Sequence, residues 1–190
     1  MQQRHLFHHV WLIAVATAVA TVTAAAIASQ SSSTDDWPCF RGPTGQGISH
    51  ASGLPIVWSA DKHIAWKTLL PGAGASSPIV IGDRIYLTCY SGYFVPGESG
   101  GSLEHLKRHL LALRRSDGEI LWDRPVPARL PEERQIRDHG FAASTPAADA
   151  ERVYVFFGKS GVFAFDHAGG QLWHADVGDK TNGWGSAASP

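Results

Sequence analysis

Residues 75–88 read ASSPIVIGDRIYLT and residues 143–156 read ASTPAADAERVYVF. The two stretches share a small–Ser/Thr–Pro opening and place a Tyr, Tyr86 or Tyr154, at the same distance after the Pro. Each continues through a strand-like run and a Gly turn to a Trp: LLALRRSDGEILW ends at Trp122, and VFAFDHAGGQLW ends at Trp173. AASP at 187–190 opens a third copy. A phrase that returns along the chain marks a repeat architecture, in which a unit buries its faces only against its neighbours.

Inside each unit the pattern predicts four short strands. In the first, Pro78–Ile81 and Arg84–Thr88 are joined by the tight Gly82-Asp83 turn, and His109–Arg114 leads through Ser116-Asp117-Gly118 to Ile120–Asp123. In the second, the strands fall at Pro146–Ala148, Arg152–Phe157, Gly161–Asp166 and Gln171–Ala175. Short, evenly spaced strands with Gly-containing turns predict an all-β fold of propeller blades. The first unit is longer than the second by an insertion over roughly Tyr90 to Arg108. A second long connection, 125–142, joins the units. Insertions of this kind lie on one face of a repeat array, either as a binding surface or as packing.

The Trp recurs at one step of every unit. A ligand needs an aromatic at one place, whereas an inter-blade contact needs one in each blade, so the recurrence assigns these positions to structure. Small residues before each Pro leave room for the neighbouring aromatic.

Composition narrows the function. The chain has 190 residues, 44% hydrophobic and 17% charged, with formal net charge −1. There is no basic excess for nucleic acid or an anionic membrane surface. Residues 1–28 combine Arg4 and a His-rich start with an uncharged run from Val10 to Ala28, closing in Ala26-Ile27-Ala28. This is the layout of a secretory signal peptide with an Ala-x-Ala site. The competing reading is an uncleaved membrane anchor, against which its Ala, Val and Thr content argues. Either way the chain is expected to be exported, to periplasm or cell envelope. Residues 29–36 read as a disordered polar linker, and 37–63 as an irregular Gly/Pro-rich lead-in packed by Trp37, Phe40 and Trp58. Ile64–Lys67 reads as a short strand before the repeats, which run over 64–190. Cys39 and Cys89 are the two cysteines. In an oxidising compartment they could form a disulfide or stand as separate buried thiols, and sequence leaves both open.

Residues 112–122 carry Ala112, Gly118 and Trp122 at the spacing that resembles the tryptophan-docking motif of pyrroloquinoline-quinone (PQQ) type propeller repeats, with Arg114 where that motif has Asp. Residues 164–173 keep Ala164, Asp166, Gly170 and Trp173 and are one residue shorter. The lead-in WPCFRGPTGQGIS and the phrases WKTLLPG, GDRIYLT and GWGSAASP resemble the exported PQQ-like β-propeller proteins of planctomycete-type bacteria. That resemblance implies a ring of four-stranded blades, of which this chain holds two and the start of a third as the front part of a longer protein. It does not support a disulfide at Cys39.

The resemblance implies two functional classes. One is a non-catalytic scaffold or binding module that recognises protein or glycan in the cell envelope. The alternative is the front of a quinoprotein dehydrogenase, with PQQ and calcium on the axis, oxidising alcohols or sugars. The sequence favours the scaffold, because nothing in it assembles a calcium cage and the cysteines are far apart. His105 and His109 would share a face only on a helix, and Leu103, Leu106 and Leu110 argue for an amphipathic insertion instead of a metal site. Arg134, Arg137, Asp138 and His139 read as a solvated loop. No nucleotide, haem or hydrolase motif is present, so no catalytic residue is assigned.

Overall fold

The computed structural model describes residues 36–136, 139–180 and 185–190. The leader, nearly all of the linker, and Arg137 and Asp138 lie outside the described residues. Within them the chain is all-β, as the repeat predicts. β1 (Ile79–Ile81), β2 (Arg84–Ser91), β3 (Lys107–Arg114) and β4 (Ile120–Pro127) form one antiparallel four-stranded sheet. β5 (Ala147–Ala148), β6 (Arg152–Phe156), β7 (Val162–Asp166) and β8 (Gln171–Ala175) form a second in the same order. These are two blades of a partial β-propeller. Among the described residues no helix is long and apolar enough to cross a membrane.

Register explains why the phrase repeats. Ile79, Tyr86, Ala112 and Trp122 stand in one cross-strand row, and Ala147, Tyr154, Ala164 and Trp173 stand in the equivalent row. Ala112 and Ala164 are fully buried between the two large rings of their row. A methyl at that central position lets Tyr and Trp meet across the strand, with centroids 5.7 Å apart in the first sheet and 6.0 Å in the second. Both sheets also shift register at the same place, just after the Ala.

The row of the first sheet packs on the opposite face of the second. Ile79, Tyr86, Leu110 and Trp122 share one core with Val153, Val155, Phe163 and Phe165. Side chains alternate faces along a strand, so Tyr154 and Trp173 point away from this core. The reverse face of the first sheet, with Ile85, Leu87, Cys89, Leu111 and Leu113, receives Trp66 and Leu70 from the lead-in. Like faces therefore stack in one direction, unit upon unit.

Several expectations are corrected. Ile64–Lys67 forms no strand. No amphipathic helix forms in the insertion: a single 3-10 turn, Leu103–His105, precedes β3, because the residues after it are drawn into a strand with β2. β2, β3 and β4 consequently run longer than expected. Trp37 is packed in the lead-in, whereas Trp58 and Phe40 are exposed. The insertion and the 125–142 connection pack on each other through Tyr90, Val95, Leu106, Ile136 and Phe141. A buried Arg108–Glu132 ion pair at 2.5 Å and an Arg108 hydrogen bond to the Phe141 carbonyl tie them together. Packing on each other is what the apolar residues of these two elaborations build.

Trp122 is 9% exposed and Trp173 is 42% exposed. The burial expected of both indoles holds only for Trp122, because the second sheet covers it and no described residues cover Trp173 in the same way. Burying a Trp is worth up to about 4–6 kcal/mol by area. Trp122→Ala should therefore cost about 3–5 kcal/mol, whereas Trp173→Ala should cost much less. Urea melts of the two variants check this, and equal losses would remove the distinction.

Candidate functional site

The docking of one unit on the next is a set of hydrogen bonds around a bare turn. The Trp122 indole N–H donates to the His167 carbonyl at 3.0 Å, and Arg124 Nε donates to the Gly169 carbonyl at 2.5 Å. The Arg124 guanidinium lies over the Trp122 ring. His167 Nε2 donates to the Asp149 carbonyl, which leaves Nδ1 to accept from the Tyr86 hydroxyl at 2.7 Å. Burial pushes the Tyr86 phenol up to about 12, so it remains a donor at neutral pH.

The same device appears one step earlier. Trp66 N–H donates to the Arg115 carbonyl, and Thr68, two residues on, donates to the Gly118 carbonyl at 2.7 Å. Trp66 is thus a docking Trp that the sequence reading took only as part of a strand. The signal was present in WKT, whose Trp and Thr occupy the places of Trp122 and Arg124.

Gly118 (φ +74°) lies under Trp66, and a Cβ there would stand 2.3 Å from its ring. Gly169 (φ +85°) holds the corresponding place under Trp122, where a Cβ would come within 2.9 Å of the indole. This corrects Gly170 as the counterpart of Gly118. The second turn is one residue shorter, and Gly170 closes it by pairing with Asp166, as Glu119 pairs with Arg114. Asp166 also caps Gly170 N–H at 2.7 Å. In the first turn, Arg114 instead pairs with Asp117 and Glu119, and the Asp117 carboxylate caps Glu119 N–H. The turn carboxylate moves to Asp117, which accounts for the missing motif Asp.

The Ser/Thr–Pro phrases build a second feature. The Ser77 N–H donates to Thr145 Oγ1 at 3.0 Å, and the Thr145 N–H donates to Ser189 Oγ at 3.0 Å. The Thr145 and Ser189 hydroxyls, each before a Pro, thus receive the backbone of the preceding unit, in a rung that runs from copy to copy. The lead-in threads beside the first strands: Trp37 bridges Val80 of β1, and the Pro38 carbonyl accepts from Ala148 N–H of β5. It covers the inner edges of both sheets and delivers Cys39 and Phe40 to the rung. A cavity of about 540 Å³ opens there, lined by Cys39, Phe40, Ser77, Thr145 and Ser189 with small Ala residues between them.

This cavity offers hydroxyls, one thiol and an aromatic ring, and no carboxylate. Calcium takes carboxylate and carbonyl oxygens, so the lining does not fit a calcium–quinone centre. Among the described residues no group of three or more His, Cys, Asp and Glu could hold a metal ion. His105 lies exposed in the 3-10 turn while His109 is buried in β3.

Cys39 and Cys89 are both free thiols, so the disulfide weighed from the sequence is not formed. Cys39 donates to the Gly42 carbonyl, whereas Cys89 is wholly buried on the face that meets Trp66. Burial, reinforced by the Asp123 carboxylate, pushes the Cys89 thiol up to about 12.

A family model described as outer membrane protein assembly factor BamB, of the PQQ-repeat type, matches residues 47–189. No curated protein matches the chain.

Two outcomes follow from the geometry. Gly169→Ala should destabilise the fold by about 1–3 kcal/mol more than Gly97→Ala, because Gly97 has a similar φ of +84° but nothing near its Cβ position. Comparing the two melts separates backbone strain from docking. Iodoacetamide at pH 8 should modify native Cys39 and leave Cys89 untouched until the chain is unfolded. Mass mapping reads the result; two native adducts, or none before reduction, would contradict the thiol assignment.

Proposed function

From a chain that belongs to the PQQ-repeat β-propeller family, we propose an exported binding scaffold of the cell envelope, whose axial mouth holds a protein or glycan segment without chemistry at that mouth. The observation that carries this reading is the cavity at the Ser77–Thr145–Ser189 rung. Its hydroxyls can meet the polar groups of an uncharged chain, and the Phe40 ring beside them is 52% exposed. A large aromatic held open next to fixed hydroxyls is the composition of a recognition site, where aromatics supply most of the contact energy. The rung hydroxyls already serve the fold, so the site is pre-organised at no further ordering cost. Export rests on the leader's composition.

Quinone-dependent oxidation has no support in the cavity lining, which holds no carboxylate for a calcium ion. The scaffold reading therefore stands as the proposal.

The test expresses the full chain with its own N-terminus and measures its retention on isolated cell-envelope fragments. The expected result is a periplasmic protein shortened near residue 28, with retention weakened about tenfold or more by Phe40→Ala, equivalent to ~1.4 kcal/mol. A full-length cytoplasmic product would sink the export assignment. Retention indifferent to Phe40 would sink the axial site.

A further inference from the structure

Outside the axis, the first sheet holds a constellation that neither the repeat nor the docking uses. Ser91 Oγ lies 2.8 Å from His109 Nε2, and His109 Nδ1 lies 2.9 Å and 3.0 Å from the two carboxylate oxygens of Asp123. Register creates this. Ser91 pairs with Lys107 and Asp123 pairs with Leu111, each two residues from His109 on the central strand β3. All three side chains therefore leave the same face, and His109 meets one diagonal neighbour on each side.

Hydrogen-bond chemistry fixes the direction of the relay. A carboxylate only accepts, so Nδ1 carries the proton and Nε2 is left as an acceptor. The hydroxyl of Ser91 must then donate to Nε2. A hydroxyl within reach of a base, with that base oriented by a carboxylate, is the arrangement that activates an oxygen nucleophile.

The repeat itself sharpens the assignment. β2 and β3 each have 8 residues, whereas their counterparts β6 and β7 have 5. With Tyr86 matched to Tyr154 and Ala112 to Ala164, the extra residues are Cys89–Ser91 and Lys107–His109, so Ser91 and His109 both belong to the extension. The second sheet has His174 at the place of Asp123 and no equivalent of the other two. A feature that recurs in every blade serves the blades, and this one occurs in a single blade. His109 is buried, Ser91 is half-buried beside Gly92, and the Asp123 side chain is 34% exposed, so the group is anchored below and open at its rim. None of the three lines the axial cavity.

We propose that Ser91, His109 and Asp123 form a serine nucleophile, its general base and the residue that positions the base, competent for acyl transfer from small activated esters to water. In the first half-reaction the Ser91 Oγ–carbonyl carbon bond forms and the hydroxyl proton passes to His109 Nε2. The ester C–O bond then breaks, and the leaving alcohol takes that proton. In the second half-reaction, water gives a proton to Nε2, its oxygen bonds to the acyl carbon, and Ser91 Oγ leaves and recovers the proton, releasing a carboxylic acid. Asp123 touches no substrate and acts by holding the ring.

A fluorophosphonate probe tests this on the full chain, since Ser91 Oγ displaces fluoride and gives a stable adduct that peptide mapping locates. The expected result is one adduct, on Ser91, lost in Ser91→Ala with an unchanged melt. Its rate should fall at least about tenfold in Asp123→Asn. Asp123→Asn is the chosen second variant because the side chain reaches solvent, and its melt separates positioning from folding. Hydrolysis of p-nitrophenyl acetate should follow the same order of variants. A folded chain that takes no adduct at Ser91, or one whose labelling rate is the same in folded Asp123→Asn, overturns the proposal.

Discussion

The fold depends on an indole laid on a turn without a side chain. Trp122 donates to the His167 carbonyl while its ring covers Gly169, and Trp66 does the same to Arg115 and Gly118. Each contact uses a planar ring with a polar edge: the ring covers the glycine while the N–H donates to a turn carbonyl. It also requires a glycine, since any Cβ would occupy the ring's place. Sheets with one Trp row and one opposing apolar face can then stack only in one sense.

The polar side of the same stacking is the rung of Ser77, Thr145 and Ser189. Strands that converge near an axis bring main-chain N–H groups of successive units together. The Thr145 and Ser189 hydroxyls, each before a Pro, accept the N–H of the preceding unit. This leaves small, uncharged residues around the axial mouth, and the lead-in adds Cys39 and Phe40 there. Architecture and the proposed recognition surface thus share residues at this end of the molecule. The extended hairpin of the first sheet stands apart from both, with its own histidine network on the face of Cys89 and Leu111.

Much of this was legible in the residue string. The four-strand plan, the recurring Tyr and Trp and the Gly turns follow from spacing, because strand side chains alternate with period two and a turn fixes where the count restarts. The third docking Trp was legible too, in WKT, but its unit lacks the preceding strand phrase that made the other copies visible. Gly169 was hidden by a deletion: in a turn shortened by one residue, counting from Ala164 lands on Gly170. Strand pairing takes over Lys107–Arg114 because the spacing of leucines in so short a run cannot compete with a ladder to β2.

By itself, the sequence determined the blade: four short strands, the turns between them and the aromatic that closes each unit, since all of these are set by neighbours close along the chain. Only the tertiary structure decided that Trp122 is sealed while Trp173 is open, that Cys39 and Cys89 remain apart, and that Ser91 and Asp123 converge on His109. Those relations join residues through the stacking of sheets and the diagonals of a ladder, and distance along the chain carries no information about either.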